Sequence, residues 1–331
     1  MFRPCFSATQ VAGAIGRHKF QTTHQVMYEV FKKDPVYEKK IEELEKFHNR
    51  KAILKFKGSI LKDREIQRSV FAALDNCKIA DAAVANEINA TTVLVEAENR
   101  SHQLDLKKAA GETISEAEQV ATEAELLRAK EVKKQASEAV AAAPSVNDTL
   151  DSVEKTCKTV LSRRPDLSPE MATQILADAR GEVMKKRGLQ NETAILDKYE
   201  VERKVVVKER NTRMLRMDKD TFVLVGRTDG YVEEQDRVVD SKDRTTYWKT
   251  VPIYDEIQLR VYMHLLDAAE AELIERFPNG STRTTIFKND PELWADIEAN
   301  LTLTTKRMND ILADASSLEE LVFKNTIENG N

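Results

Sequence analysis

Residues 225–262 read VGRTDGYVEEQDRVVDSKDRTTYWKTVPIYDEIQLRVY, and this stretch decides the fold. Val238 and Val239 close an apolar run of strand type just before Asp240. Side chains alternate along a strand, so Asp240 and Lys242 share one face and Ser241 takes the other. The stretch predicts a hairpin of two strands, Thr221–Val225 and Arg237–Ser241, joined through the turn-prone pair Asp229-Gly230. Val251-Pro252 then breaks the chain before a helix over Tyr254–Ala269. On that helix Gln258 and Tyr262 stand four apart and share a face.

Two acids and a lysine on adjacent strands beside a polar helix face suit phosphodiester cleavage. The reaction needs a nucleophilic water, charge neutralisation on the phosphate and a stabilised leaving oxygen. Magnesium supplies much of this. It prefers hard oxygen ligands, commonly one or two carboxylates completed by water and phosphate oxygens. Asp229 and Asp240 are such carboxylates, and Lys242 adds a point charge for the water or the phosphate. Taken alone, the spacing is equally that of an ordinary solvated hairpin.

The surroundings narrow the choice. Upstream, Gly188-Leu189-Gln190-Asn191-Glu192 lies in a helical pattern that continues through Ala194, Ile195 and Tyr199. Glu192, then GRTDG with Asp229, then Asp240-Ser241-Lys242, then VP-x-YDE-x-QLRVYM occur in an order that resembles the PD-(D/E)xK nuclease superfamily. More narrowly the chain resembles its lambda-exonuclease and YqaJ-type viral recombinase branch. The N-terminal FSATQVAGAIGRHKFQT is similar to that branch's opening helix, with Ser7 and Gln10 at capping-box spacing. The likeness covers about 185–267 and 6–33, and none is visible from about 40 to 170. Asp243 departs from the pattern, standing where relatives often carry a neutral residue.

The resemblance implies a restriction-endonuclease-like α/β (α+β) core, a small mixed sheet flanked by helices. It implies a magnesium-dependent DNA exonuclease of recombination, repair or end processing, with manganese able to substitute. Glu192, Asp229 and Asp240 take the metal positions. Lys242 and Gln258 join them as catalytic residues, and Tyr262 and Arg244 face the DNA. Branch members form rings and pair with a strand-annealing protein. DNA, a single-strand annealing protein and a homo-oligomer are therefore the expected partners.

The net charge of −5 argues against a generic polyanion binder with a basic surface throughout. A local basic track is compatible with it. Arg203, Lys204, Lys208, Arg210, Arg213 and Arg216 cluster before the site, and Lys208, Arg210 and Arg213 are its central candidates. Arg17, His18 and Lys19 are the next. The same residues also suit the charged outer face of a strand pair. Cys5, Cys77 and Cys157 are isolated, which predicts an intracellular, reducing compartment (cytoplasm, or a host nucleus for a viral protein) and no disulfide framework. It also disfavours the four-thiolate iron–sulfur cluster of some related nucleases. His264, six residues after Gln258, reads as a helix residue rather than a ligand. No apolar run reaches the ~18 residues of a membrane span. MFRPCFSATQ has no signal-peptide core, so secretion is not expected.

Along the chain, residues 6–33 predict two short helices broken at Gly16. Residues 36–83 are charged and helix-like. Residues 84–145 are rich in Ala, Glu, Lys and Gln, which favours a long helix, read as a helical spacer or hairpin or else as an oligomer or partner contact, ended at Ala143-Pro144-Ser145. A helix follows from Val146, and Ser168-Pro169 opens another with a good N-cap and proline at N1. After Tyr262 the pattern predicts helix over Met263–Arg276, strand over Thr282–Phe287, and helices over Pro291–Asn300 and Thr304–Leu321. The organisation is thus N-terminal helices of the core (1–40), a helical insertion (41–170) and the core proper (171–331). Two further readings remain: a nucleic-acid-binding protein with a decayed site, and a helical structural or virion-assembly protein whose working part is 84–145.

Overall fold

A computed structural model describes residues 2–47 and 50–328; residues 48 and 49, inside the predicted helix-like segment, lie outside the described ones. Strand β1 (Cys5–Ser7) runs straight into α1 (Ala8–Ala14). The capping box is formed, Gln10 Oε1 accepting from the Ser7 backbone N–H at 3.1 Å. Gly16, at φ +73°, takes the left-handed conformation that ends this helix. Helix α2 (Thr23–Lys33) then buries Val26, Met27, Val30 and Phe31, the apolar face read from the sequence. Helices α3 (Glu38–Phe47) and α4 (Arg50–Leu61) lead to α5 (Arg64–Ala109) and α6 (Glu116–Ala142). Of the spacer and the hairpin expected over 84–145, the hairpin is formed, from two helices rather than one. Gly111, at φ +79°, and the N-cap Ser115 make the reversal, and α6 folds back on α5. Helix α7 (Val146–Leu161) and helix α8 (Pro169–Arg203) follow, the latter capped by Ser168 with proline at N1.

The α/β architecture with a long helical insertion is formed, but its strands differ from the expected hairpin. Strand β2 (Leu215–Asp218) pairs antiparallel with β3 (Val223–Gly226), and β3 pairs parallel with β1. Strand β4 (Gly230–Val232) pairs antiparallel with β5 (Arg237–Asp243) in a second sheet. Asp229-Gly230 is thus the crossing between two small sheets, not a hairpin turn. The hairpin turns at 233–236, where Asp236 adopts φ +46°. Glycine is needed at 230 for space: a Cβ there would stand 2.1 Å from Val207 Cγ1.

Helix α9 (Ile253–Leu266) ends at Asp267, which is left-handed at φ +55°. The chain then forms β6 (Glu270–Arg276), parallel to β5, and β7 (Thr282–Lys288), antiparallel to β6. The helix expected over Met263–Arg276 is therefore wrong in its second half. Ala268, Ala269 and Ala271 with Glu270 and Glu272 are good helix formers, and tertiary pairing overrides that propensity. Helix α10 (Pro291–Ala313) runs unbroken through 301–303, and the break falls at Asp314 before α11 (Ala315–Glu328).

Three apolar clusters hold these elements. One joins α1, α2, α9, α10 and α11 around Phe6, Leu224 and Leu273. A second lies among α5, α7 and the first half of α8, around Ile66, Val153 and Ile175. A third packs the second half of α8 on β4, β5 and β6 through Ile195, Leu196, Val239 and Ile274. Helix α8 therefore belongs to insertion and core alike, and it clamps β5 from one side while α9 clamps it from another. No helix among the described residues is long and apolar enough to cross a membrane.

Candidate metal and nucleic-acid site

Strand β5 is the axis of the site. Its alternation brings Lys242 Nζ to 2.7 Å from Asp240 Oδ2, as the sequence predicts. Asp240 is only 2% exposed. Asp229 reaches the same strand from the sheet crossing: its Oδ2 accepts from the Ser241 backbone N–H at 2.7 Å and from Ser241 Oγ at 2.9 Å. Among the described residues both bonds fall on Oδ2, which leaves Oδ1 for another partner. From α9, Gln258 Nε2 donates to Tyr262 OH at 3.0 Å and more weakly to Asp240 Oδ1 at 3.4 Å. From α8, half-buried Glu192 accepts from Asn211 Nδ2.

The charges act on one another. Burial pushes the Asp240 carboxyl up to about 7, with Lys242 opposing the rise and Asp229 adding to it. Burial also raises Asp229 against the pull of Lys242 and the Ser241 N–H, and Glu192 raises it further. Glu192 is raised by burial too, with Asp240 adding to the shift and Asn211 and Lys242 opposing it. Burial works against the Lys242 ammonium, but Asp240, Asp229 and Asp255 outweigh it and hold the group above the ordinary lysine range. Three acids and one lysine thus form a single electrostatic unit.

Among the described residues, no three His, Cys, Asp or Glu side chains stand together as a ready-made metal cage. Magnesium does not require one, since one or two carboxylates with water complete its octahedron. Asp229, tied to Ser241, and Asp240 offer carboxylate oxygens of that kind, and the charge of Glu192 is felt by Asp229. Buried Asp240 and partly buried Asp229, whose ionisation burial holds back, are groups that a bound cation would stabilise.

Other predicted residues are placed differently. Tyr262 is 4% exposed and packs in the main core, its ring so close to β3 that a Cβ on Gly226 would meet Tyr262 Cε1 at 2.8 Å. Only its hydroxyl addresses the site, through Gln258. Arg244 is held by Asp255 at 2.6 Å and Glu275 at 2.9 Å. Much of the basic segment is tied to acids. Lys208 pairs with Glu233, Arg210 with Asp197 at 2.6 Å and Glu200 at 3.0 Å, and Arg213 with Glu209 at 3.5 Å. His264 stacks on Trp294 at 3.7 Å, a packing role.

Sequence reasoning missed an aromatic and cationic surface beside Arg244. Its guanidinium lies 5.8 Å from the Trp248 ring, and Lys19 Nζ stands between Trp248 at 5.8 Å and Phe20 at 5.2 Å. His18 lies against Tyr254 at 4.5 Å. The sequence names His18, Lys19 and Arg244 only separately; Lys19 and Trp248 are far apart in the chain, so nothing local joins them to the rings of Phe20, Trp248 and Tyr254.

No protein-family model and no curated protein matches the chain. Among solved structures, it is similar to a phage-related exonuclease from Haemophilus somnus 129PT, at 14% identity over 49% of this chain and 83% of that one, with a TM-score of 0.33. It is also similar to an alkaline exonuclease from Laribacter hongkongensis, at 13% identity over 48% and 80%, TM-score 0.33. That enzyme's complex with dAMP matches at 14% identity over 51% and 82%, TM-score 0.33. Likenesses this low say nothing about the chemistry of the site, which stands on its own residues.

Proposed function

We propose that the chain is a magnesium-dependent DNA nuclease of the restriction-endonuclease-like kind, acting from DNA ends in recombination, repair or end processing. The observation that carries the reading is the pair of buried Asp240 and partly exposed Lys242 on β5, with Asp229 fastened to the intervening Ser241. Magnesium, for which manganese can substitute, would neutralise phosphate charge and acidify a water. Asp229 and Asp240 would hold it, with Glu192 completing the acidic edge. The Lys242 ammonium offsets negative charge that develops on the phosphoryl oxygens, a contact realised most fully in the transition state. Gln258, already aimed at Asp240, is placed to orient the phosphate or the water. DNA is the partner we assign to this phosphodiester chemistry. A strand-annealing protein and a homo-oligomer extend the same proposal, and the three free cysteines suit a reducing intracellular compartment.

End-labelled linear duplex, circular duplex and single strand, each incubated with the protein and magnesium, test it. Linear duplex should be degraded and the circle spared. Lys242→Ala should lower the rate by ~10²–10³, the usual cost of one such interaction, and leave DNA binding nearly intact. A wild-type protein that binds all three substrates and cleaves none would establish the decayed-site reading instead.

A further inference from the structure

Behind the site lies a buried charge network that the proposed reaction does not use. Asp243 follows Lys242 on β5, so alternation turns it to the opposite face. Its side chain is 1% exposed and lies 2.5 Å from Arg187 Nη1 and 2.9 Å from Arg276 Nε. Asn191, the residue before Glu192, donates to Asp243 Oδ2 at 2.8 Å. The fourth charge comes from the insertion. Asp81 of α5 accepts from Arg187 Nη2 at 2.8 Å and from Asn191 Nδ2 at 3.0 Å, and lies 3.3 Å from Arg276 Nη2.

We infer that Asp81 is a positioning residue for the candidate site, fixing from the insertion the two segments that carry Glu192 and Lys242. The network balances two arginines against two aspartates, so removing Asp81 leaves two cations on one acid. Arg187 is 2% exposed and cannot take that charge to water. Among the described residues its Nε and Nη1 have no hydrogen-bond partner, Nη1 meeting Asp243 as a charge pair only. The bond to Asp81 therefore sets the guanidinium's orientation, and the guanidinium in turn sets Asp243. A displacement of ~1 Å at reacting groups is enough to cost about 10²-fold in rate. The extra acid at 243, unusual for the resembled pattern, is accounted for by these two arginines.

The inference rests on the proposed nuclease reading for its kinetic arm only. Cleavage is to be compared in wild type, Asp81→Ala and Asp81→Asn, with Glu87→Ala as the control. Glu87 lies six residues along the same helix and accepts from Lys133 and Ser137 on α6, away from the core. Asp81→Ala should lose about 10- to 100-fold in kcat with KM unchanged. Asp81→Asn, which keeps an acceptor for Arg187, should fall between it and wild type, and Glu87→Ala should match wild type. Amide hydrogen exchange supplies the second arm: β5 and the 188–193 turn of α8 should exchange about tenfold faster in Asp81→Ala and unchanged in Glu87→Ala. Wild-type kcat in a folded Asp81→Ala protein, or equal losses in Asp81→Ala and Glu87→Ala, would overturn the assignment. An inactive wild type would sink the nuclease reading alone. The exchange arm would then decide: local loosening supports the positioning role and unchanged protection refutes it.

Discussion

Asp240 is an acid kept close to neutrality by its own fold. Its folded value of about 7 stands above the ordinary 3.8, so ionising it opposes folding. The stability it contributes is fully present below about pH 4 and is lost as the pH rises through 7. Asp240→Asn should therefore gain stability relative to the metal-free wild type as the pH is raised from 4 to 8. Thermal melts across that range check the sign; a constant difference would show that Asp240 does not titrate there. Magnesium should raise the melting temperature of the wild type and leave Asp240→Asn unmoved, because the ion stabilises only a form that binds it. The Asp240–Lys242 pair was legible in the sequence because strand alternation alone puts the two together. Asp81 was not, because its partners stand more than a hundred residues along the chain and no local period links them.

Strand β6 shows where local preference gives way. It is rich in helix formers, yet it sits between β5 and β7 with both of its buried glutamates answered. Glu272, fully buried, accepts from Tyr199 OH and from Arg237 Nη1, each at 2.8 Å. Glu275, equally buried, meets Arg244 and Arg283. Removing Glu272 leaves the Tyr199 hydroxyl and one edge of the Arg237 guanidinium without their acceptor, while Glu270 still holds the other edge at 2.6 Å. Glu272→Ala should cost roughly 1–3 kcal/mol in urea unfolding. A cost below about 1 kcal/mol would mean that water reaches Arg237. The elements that were read correctly carry their signals within a few residues: the Ser7–Gln10 box, the Ser168-Pro169 start, the apolar face of α2. The crossing at Asp229-Gly230 was misread because a turn signal and a close-packing glycine look alike in one dimension.

At the scale of the molecule, Lys208, Arg210 and Arg213 before the site already pair with carboxylates of the chain itself. If this segment still tracks DNA, replacing Lys208, Arg210 and Arg213 together should flatten the salt dependence of binding by about one unit for each phosphate left without its cation. A wild-type slope would move the track to Lys19 and its aromatic neighbours. The alternating α-helical and strand-rich regions, and the insertion as such, were visible from composition. The division into two sheets was not, because which strands pair is settled by residues distant in sequence. The distal parts of α5 and α6 are absent from all three apolar clusters, α6 packing on α5 with Ala90, Ala97, Leu104 and Ala129 at the seam. Replacing 90–132 by a short turn should leave the melting temperature within about 2 °C of wild type, since all three clusters stay whole. A collapse of stability would show the hairpin to be part of the folding unit.

That hairpin also governs how the protein moves through water. Beyond Thr92, where α5 leaves the pocket it lines with α8 and the β6–β7 turn, the helix rises about 25 Å to Ala109 at 1.5 Å per residue. A slender double rod of this length adds little mass and much friction. Monomeric chain should sediment more slowly than a compact body of 37.6 kDa, and its tumbling should be anisotropic, slow end over end and fast about the rod. Shortening the rod at 90–132 should bring the frictional ratio back towards that of a sphere even as the mass falls.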